Sequence, residues 1–231
     1  MTPPLTIAID GPSGSGKSSV SRAVARRLGV GYLDTGAMYR ALTWWCLERG
    51  IDLGDVDAVA DAARTLPLDI GTDPTTPTVG VGGTDVTAAI RTTEVSTAVS
   101  SVATNRAVRT VLQQLQRDLM ARIAEQTGGV VAEGRDITTV VAPDARVRVL
   151  LTASEEARLR RRSAELHGAT DAAAVEATRD QVLRRDRDDS TVSAFTEAAD
   201  GVVLVDTSDL DFDESVEAVL DVVAAETSAA E

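Results

Sequence analysis

The chain has 231 residues, of which 43% are hydrophobic and 3% aromatic, and a formal net charge of −13. That length and apolar content suit one α/β domain with a core of Val, Leu, Ala and Ile, while the acidity argues against nucleic acid as a partner. One cysteine, Cys46, and one histidine, His167, exclude an internal disulfide, a Cys/His metal site and histidine-based triad chemistry.

The N-terminus has neither a basic start nor a long apolar run, which predicts a cytoplasmic protein with no membrane partner. The run Ile7-Ala8-Ile9 predicts a strand ending at Asp10. Gly11-Pro12-Ser13-Gly14-Ser15-Gly16-Lys17-Ser18 then fills every position of G-x-x-x-x-G-K-[ST]. After it the apolar period changes to Val20, Val24 and Leu28, one helical face, and Gly29 stops it. Strand, glycine-rich loop and helix together predict a phosphate cradle. The glycines let successive N–H groups point inward, and the helix N-terminus adds about half a positive charge at the same place. Gly11 to Ser19 are therefore candidate triphosphate contacts, Lys17 the cation that reaches the β- and γ-phosphates, and the Ser18 hydroxyl a ligand for Mg²⁺. By average residue usage the four fixed positions match by accident roughly once in a hundred chains of this length. Lys17 is moreover the only lysine among 23 Lys and Arg.

A short strand over 30–33 is predicted next, running into Asp34-Thr35-Gly36. A helix over about 37–49 follows, with Met38, Leu42 and Trp45 inward, and Asp55 caps another through Ala63. Between Leu66 and Arg91 the character changes. Pro67, Pro74 and Pro77 punctuate the short apolar pieces 68–70, 78–81 and 85–86, with Gly82-Gly83 as a turn. This reads either as a small antiparallel β insert or as a loop. Helices are predicted over 93–101 and 106–126, the second with an apolar stripe of Val108, Leu112, Leu115, Leu119 and Ile123 that reads as core packing. Val130-Val131-Ala132 is a buried strand followed by Glu133-Gly134-Arg135-Asp136, and 147–151 is another. Thr152 or Ser154 caps a helix over 155–166. A polar break at 167–171 precedes a helix over 172 to about 185. The chain closes with a strand over 202–205, a helix over 213–225 and a frayed tail over 226–231.

Strands alternating with helices predict a parallel sheet of about five strands covered on both faces. Ligands in such sheets sit beyond the carboxyl ends of the strands. The stretches 11–18, 34–36 and 134–136 each follow a strand, so they should converge on one rim. The absence of any lysine but Lys17 removes a guanine-reading N-K-x-D motif, and no L-S-G-G-Q transporter signature occurs. A small-molecule kinase remains, with a second anion site and arginines around the moving phosphoryl group.

From Ile7 to about Ser208 the chain resembles the bacterial cytidylate kinases, of the nucleoside monophosphate kinase family. The likeness rests on I-D-G-P-S-G-S-G-K-S, on Leu33-Asp34-Thr35-Gly36-Ala37-Met38-Tyr39-Arg40, and on Asp85-Val86 to Ile90-Arg91-Thr92. It also rests on Glu133 to Val141 and on Arg184-Arg185-Asp186 with Asp189-Ser190-Thr191. The resemblance implies one P-loop kinase domain over 1–231, an acceptor-binding insert over about 66–105 and a helical lid over about 155–172. It implies ATP and Mg²⁺ as cofactors, CMP and dCMP as acceptors, and a monomer. Thr35, Tyr39, Arg40 and Arg135 fall at the acceptor, the arginines on its phosphate. Asp136 matches the carboxylate that accepts from the cytosine amino group. Ser101, or Ser100 in its place, and Arg109 match positions around the base, and Arg185 and Asp189 match ribose and phosphate contacts. Arg158, Arg161 and Arg162 lie in the lid, and Lys17, Arg135, Arg158, Arg162 and Arg185 are the candidate catalytic cations. Bland alternatives stand beside these: Thr35 as a helix cap, Arg135-Asp136 as a local ion pair, Arg158–Arg162 as a solvated helix face. One departure is plain. The family's arginine just past the D-S-T triplet is missing, and Arg184 or Arg187 replaces it or acceptor binding is weaker.

Overall fold

The computed structural model describes residues 4–167 and 172–228. Its centre is a five-stranded parallel sheet in the order β2-β6-β1-β7-β8. The strands are β1 (Leu5–Asp10), β2 (Gly31–Asp34), β6 (Gly129–Gly134), β7 (Val147–Thr152) and β8 (Val203–Asp206). Alternation along each strand decides which layer it faces. Ile7 and Ile9 of β1, with Val131, Val147 and Val149, pack under Val20 and Val24 of α1 (Lys17–Leu28) and Val216 and Val219 of α8 (Phe212–Ser228). Ala8, Leu33, Val130 and Ala132 look the other way, toward Leu119, Met120 and Ile123 of α5 (Arg106–Thr127) and Met38 of α2 (Thr35–Glu48). β1 and β6 are thus apolar on both sides, as a sheet covered by helices requires.

The residues between 66 and 91 form a three-stranded antiparallel sheet: β3 (Leu68–Ile70), β4 (Val79–Val81) and β5 (Thr84–Asp85). Val79 and Val81 bury themselves against Ala37 and Ala41 of α2. That contact makes the segment a sheet on the core rather than a loop. α3 (Val56–Arg64) is capped by Asp55, whose carboxylate accepts the Ala58 amide at 3.0 Å. It packs with α4 (Thr93–Ala103) and α5.

Two boundaries move in ways that matter. Asp34 both ends β2 and caps α2, accepting the Ala37 amide at 2.8 Å, so the helix begins at Thr35. After α6 (Glu155–His167), which Ser154 caps, α7 runs over Ala172–Ser190, five residues beyond the expected end. Arg185, Asp186 and Asp189 therefore stand on one helix. Of the break expected over 167–171, His167 belongs to α6; residues 168–171, like the chain's last residues, 229–231, lie outside the described residues. The expected frayed tail is helical through Ser228. Among the described residues no helix is long and apolar enough to cross a membrane.

Candidate active site

The register of the parallel strands assembles the site. β6 lies between β2 and β1, with Glu133 opposite Asp34 on one side and Ile9 on the other, and Gly134 opposite Asp10. The three polar stretches that follow these strands therefore leave the sheet side by side. Asp10 turns inward and ties two of them together. It is fully buried. One of its oxygens accepts the Ile137 amide at 3.0 Å, and the other accepts the Thr138 amide at 2.8 Å and the Thr138 hydroxyl at 2.6 Å. Burial pushes its carboxyl up to about 6 in spite of those bonds. The residue that ends β1 thus anchors the π turn Ile137–Val141, immediately after Arg135-Asp136.

In the glycine-rich loop, Gly14 and Gly16 have φ of +77° and +88°, where a side chain would be strained. Gly16 caps α1 with no side-chain bond, so the first amides of the helix keep their donors for an anion. The Lys17 ammonium donates to the Pro12 carbonyl at 3.2 Å. Burial pushes it down to about 8, an effect opposed by Glu133 and reinforced by Arg135 and Arg185. Glu133 is buried beneath the loop and accepts from the Tyr32 hydroxyl at 2.6 Å, with Ser18 close enough to favour its charged form. Its burial and the nearby Asp34 hold its carboxyl above the usual range, while Lys17 pulls it down. The Thr35 hydroxyl donates to the Glu133 carbonyl at 2.7 Å rather than capping α2. That close crossing needs Gly134, where a Cβ would come within 2.5 Å of the Thr35 oxygen.

Across from that loop, Arg40 is buried and donates to the Ile90 carbonyl at 3.1 Å and the Ser96 hydroxyl at 2.8 Å. Arg135 and Asp136 do not pair with each other. Asp136 accepts from Arg109 at 2.6 Å and Gln113 at 2.7 Å. Arg135 turns to α7, with Asp189 at 2.8 Å and Asp186 at 3.1 Å, and its guanidinium lies over the Phe195 ring at 4.7 Å. Asp186 also accepts the Ser13 amide of the P-loop at 3.0 Å and pairs with Arg158, which donates to the Ser13 carbonyl at 2.9 Å. Arg185 sits 3.7 Å from Asp189. Burial first, then Arg135, Arg40 and Arg162, press its pKa down toward about 9, with Asp189 opposing. A guanidinium keeps its proton at any pH an enzyme meets. The pressure instead marks a buried guanidinium set among other cations.

One cleft joins the two ends. Ser13, Gly14, Gly16, Lys17, Ser18 and Ser19 line it on one side, and Thr35, Tyr39, Arg40, Arg109, Arg135, Asp136, Arg162, Arg185 and Asp189 on the other. The remaining candidates lie elsewhere. Gly11, Pro12 and Ser15 are buried behind the loop, and Ser101 is exposed on α4, whose Val99 and Ala103 face the cleft instead; Ser100 does not line it either. Arg158 is held on Ser13 and Asp186, while Arg161 donates to Thr207 and to the Ser15 carbonyl. These two are docked on neighbouring backbone and side chains, not spread on a solvated face. Arg184 and Arg187, offered as substitutes for the missing arginine, are both exposed and off the cleft.

Several residues were not given a role from sequence. Glu133 and Asp34 sat inside recognised motifs, but only the strand register makes them neighbours. Asp186 is a partner of Ser13 because α7 packs over the loop, which no local pattern signals. Gln113 had a signal: Arg109, Gln113 and Gln116 recur at i, i+4 and i+7 on α5, a polar stripe beside the apolar one. Gln116, the innermost, is fully buried near the Tyr39 hydroxyl.

A P-loop on a parallel sheet, facing a second subsite rich in guanidinium groups across one cleft, defines a phosphoryl-transfer protein of the P-loop class. A family model for cytidylate kinase matches residues 7–225. A cytidylate kinase of Streptomyces avermitilis is 50% identical over 222 residues, 96% of this chain and 93% of that protein. One of Cutibacterium acnes is 50% identical over 224 residues, 96% and 97% of the two chains. The crystal structure of TT1252 from Thermus thermophilus shares the fold, with a TM-score of 0.50 at 20% identity, covering 97% of this chain and 98% of that one. The chain belongs to the cytidylate kinase family.

Proposed function

We propose that the protein transfers the γ-phosphoryl group of ATP to CMP and dCMP, giving CDP or dCDP and ADP. The single observation that carries this is the one cleft, with Lys17 and the P-loop at one end, Arg109 and Asp136 at the other, and Arg40, Arg135, Arg162 and Arg185 between. A triphosphate on the P-loop and a monophosphate among the arginines meet head to head. An acceptor phosphate oxygen attacks the γ-phosphorus, the bond to the β,γ-bridging oxygen breaks, and ADP leaves. The acceptor is already an anion, so no general base is needed. Catalysis is positioning plus stabilisation of charge by fixed cations.

Mg²⁺ fits this arrangement. Among the described residues no cluster of three carboxylate, histidine or cysteine groups could cage a metal. A cation held mainly by phosphate oxygens and water needs few groups from the protein, and the hydroxyl that closes a P-loop is one of them. Ser18, backed by Glu133, supplies it, and the ion would neutralise charge on the transferring group. The segment 155–172 is read as the lid, with Arg162 its contribution to the cleft, the segment 66–105 as the acceptor-side insert, and the protein as a cytoplasmic monomer.

The test is acceptor-dependent ADP release across CMP, dCMP, UMP, AMP and shikimate with Mg²⁺. CMP and dCMP are expected to turn over well, UMP poorly, and the other two not at all. ATP binding without any CMP-dependent ADP formation would sink the assignment.

A further inference from the structure

The two donors to Asp136 choose the same oxygen. Arg109 Nη2 and Gln113 Nε2 both bond Oδ2, at 2.6 and 2.7 Å, and no donor from the described residues takes Oδ1. Asp136 is 4% exposed and lines the cleft, whereas Gln113 stands behind it on α5 and does not. We propose that Gln113 is a positioning residue for base choice: with Arg109 it saturates Oδ2, and so presents Oδ1 to the acceptor as a fixed, lone hydrogen-bond acceptor. This rests on the cytidine-nucleotide reading above and deepens it.

The carboxylate torsion χ2 is broad and nearly two-fold, so a single donor would leave the group free to swing. Arg109 is a poor sole anchor, because it reaches the carboxylate through Nη2 alone while Nη1 donates to the Ala103 carbonyl at 3.3 Å, so no bidentate fork fixes the torsion. Among the described residues the Gln113 amide nitrogen has no other partner, and it is the only end of that side chain that can donate to a carboxylate. It sits one turn after Arg109, so the two donors approach from one rigid helix. A base with an exocyclic amino group donates to Oδ1. A base with a carbonyl there brings a second acceptor against it, and both stay unpaired, which is where strong discrimination comes from.

The experiment compares the parent with Q113L, Q113E and D136N, reading KM and kcat for CMP and UMP at saturating ATP, with Tm alongside. Q113L is expected to raise KM for CMP by about tenfold, to move kcat less than that, and to shrink the CMP-over-UMP ratio by a similar factor. Q113E sets a second carboxylate against Asp136 and should do worse on both counts. If Q113L lowers Tm but keeps KM for CMP and the ratio, Gln113 is structural and the proposal is overturned. If D136N erases the preference while Q113L preserves it, Gln113 alone is wrong and the reading of the site survives. A parent with no preference for CMP over UMP overturns both.

Discussion

The two ends of the cleft are made of different material. The donor end comes from eight consecutive residues, Gly11 to Ser18, and offers backbone amides and one ammonium. The acceptor end is assembled from side chains on separate elements: Arg40 on α2, Arg109 and Gln113 on α5, Arg135 and Asp136 after β6, Arg185 and Asp189 on α7. Amides in a curled loop are fixed by backbone geometry and need no counter-charge. Long charged side chains are mobile, and here they are held by partners. Arg135 leans on two carboxylates and a ring, Asp136 on two donors, and Arg40 on a carbonyl and a hydroxyl. An incoming phosphate must share or displace those partners, so the acceptor end answers to a network and the donor end to a few atoms.

Breaking the donor end should have the largest effect. A K17M variant removes the loop's own ammonium, and turnover is expected to fall by at least about 10³-fold with the circular dichroism spectrum unchanged. Activity close to that of the parent would show that the loop amides suffice. At the acceptor end, R135A is expected to lose about 10²–10³-fold in kcat. It should also lower Tm, because Asp186 and Asp189 lose a shared partner. R135K keeps the charge but not the fork. It should recover part of the Tm and little of the kcat; a full recovery of kcat would mean that charge alone matters there.

The smallest effect sharpens the comparison through protons. Burial lowers the Lys17 pKa to about 8, below its ordinary value, so the folded protein binds fewer protons than the unfolded chain between that pH and 10.5. The charged form costs stability below about pH 8, and the cost fades as pH rises through that window. A triphosphate beside the ammonium reverses the pressure. ATP binding at pH 8 should therefore take up about half a proton, and almost none at pH 6. Calorimetry in buffers of different ionisation enthalpy measures this directly. K17M should abolish the uptake, and persistence in that variant would point to Glu133 instead.

Much of this could be read from the chain itself. The G-x-x-x-x-G-K-[ST] spacing, the change of apolar period at Val20 and the strand runs at 7–9, 130–132 and 147–151 found their places. The reason is that each depends on neighbours a few residues away. Arg135 and Asp136 were legible as a pair of candidate site residues, and the bland alternative, a local ion pair between them, does not form, because each finds partners on another helix. Ser101 was drawn from its match to a motif, yet helix phase points it to solvent and brings Val99 and Ala103 to the cleft instead.

By itself the sequence determined the donor end, because a glycine-rich loop between a strand and a helix has one way to curl, and its chemistry is carried by the backbone. It also determined the layered fold, through alternation in the strands and period in the helices. Only the tertiary structure decided which carboxylate meets which arginine. Asp186 reaches the Ser13 amide 173 positions away, and Gln113 meets Asp136 across 23. Those pairings follow from strand register and the packing of α5 and α7 over the rim, and no local pattern encodes them.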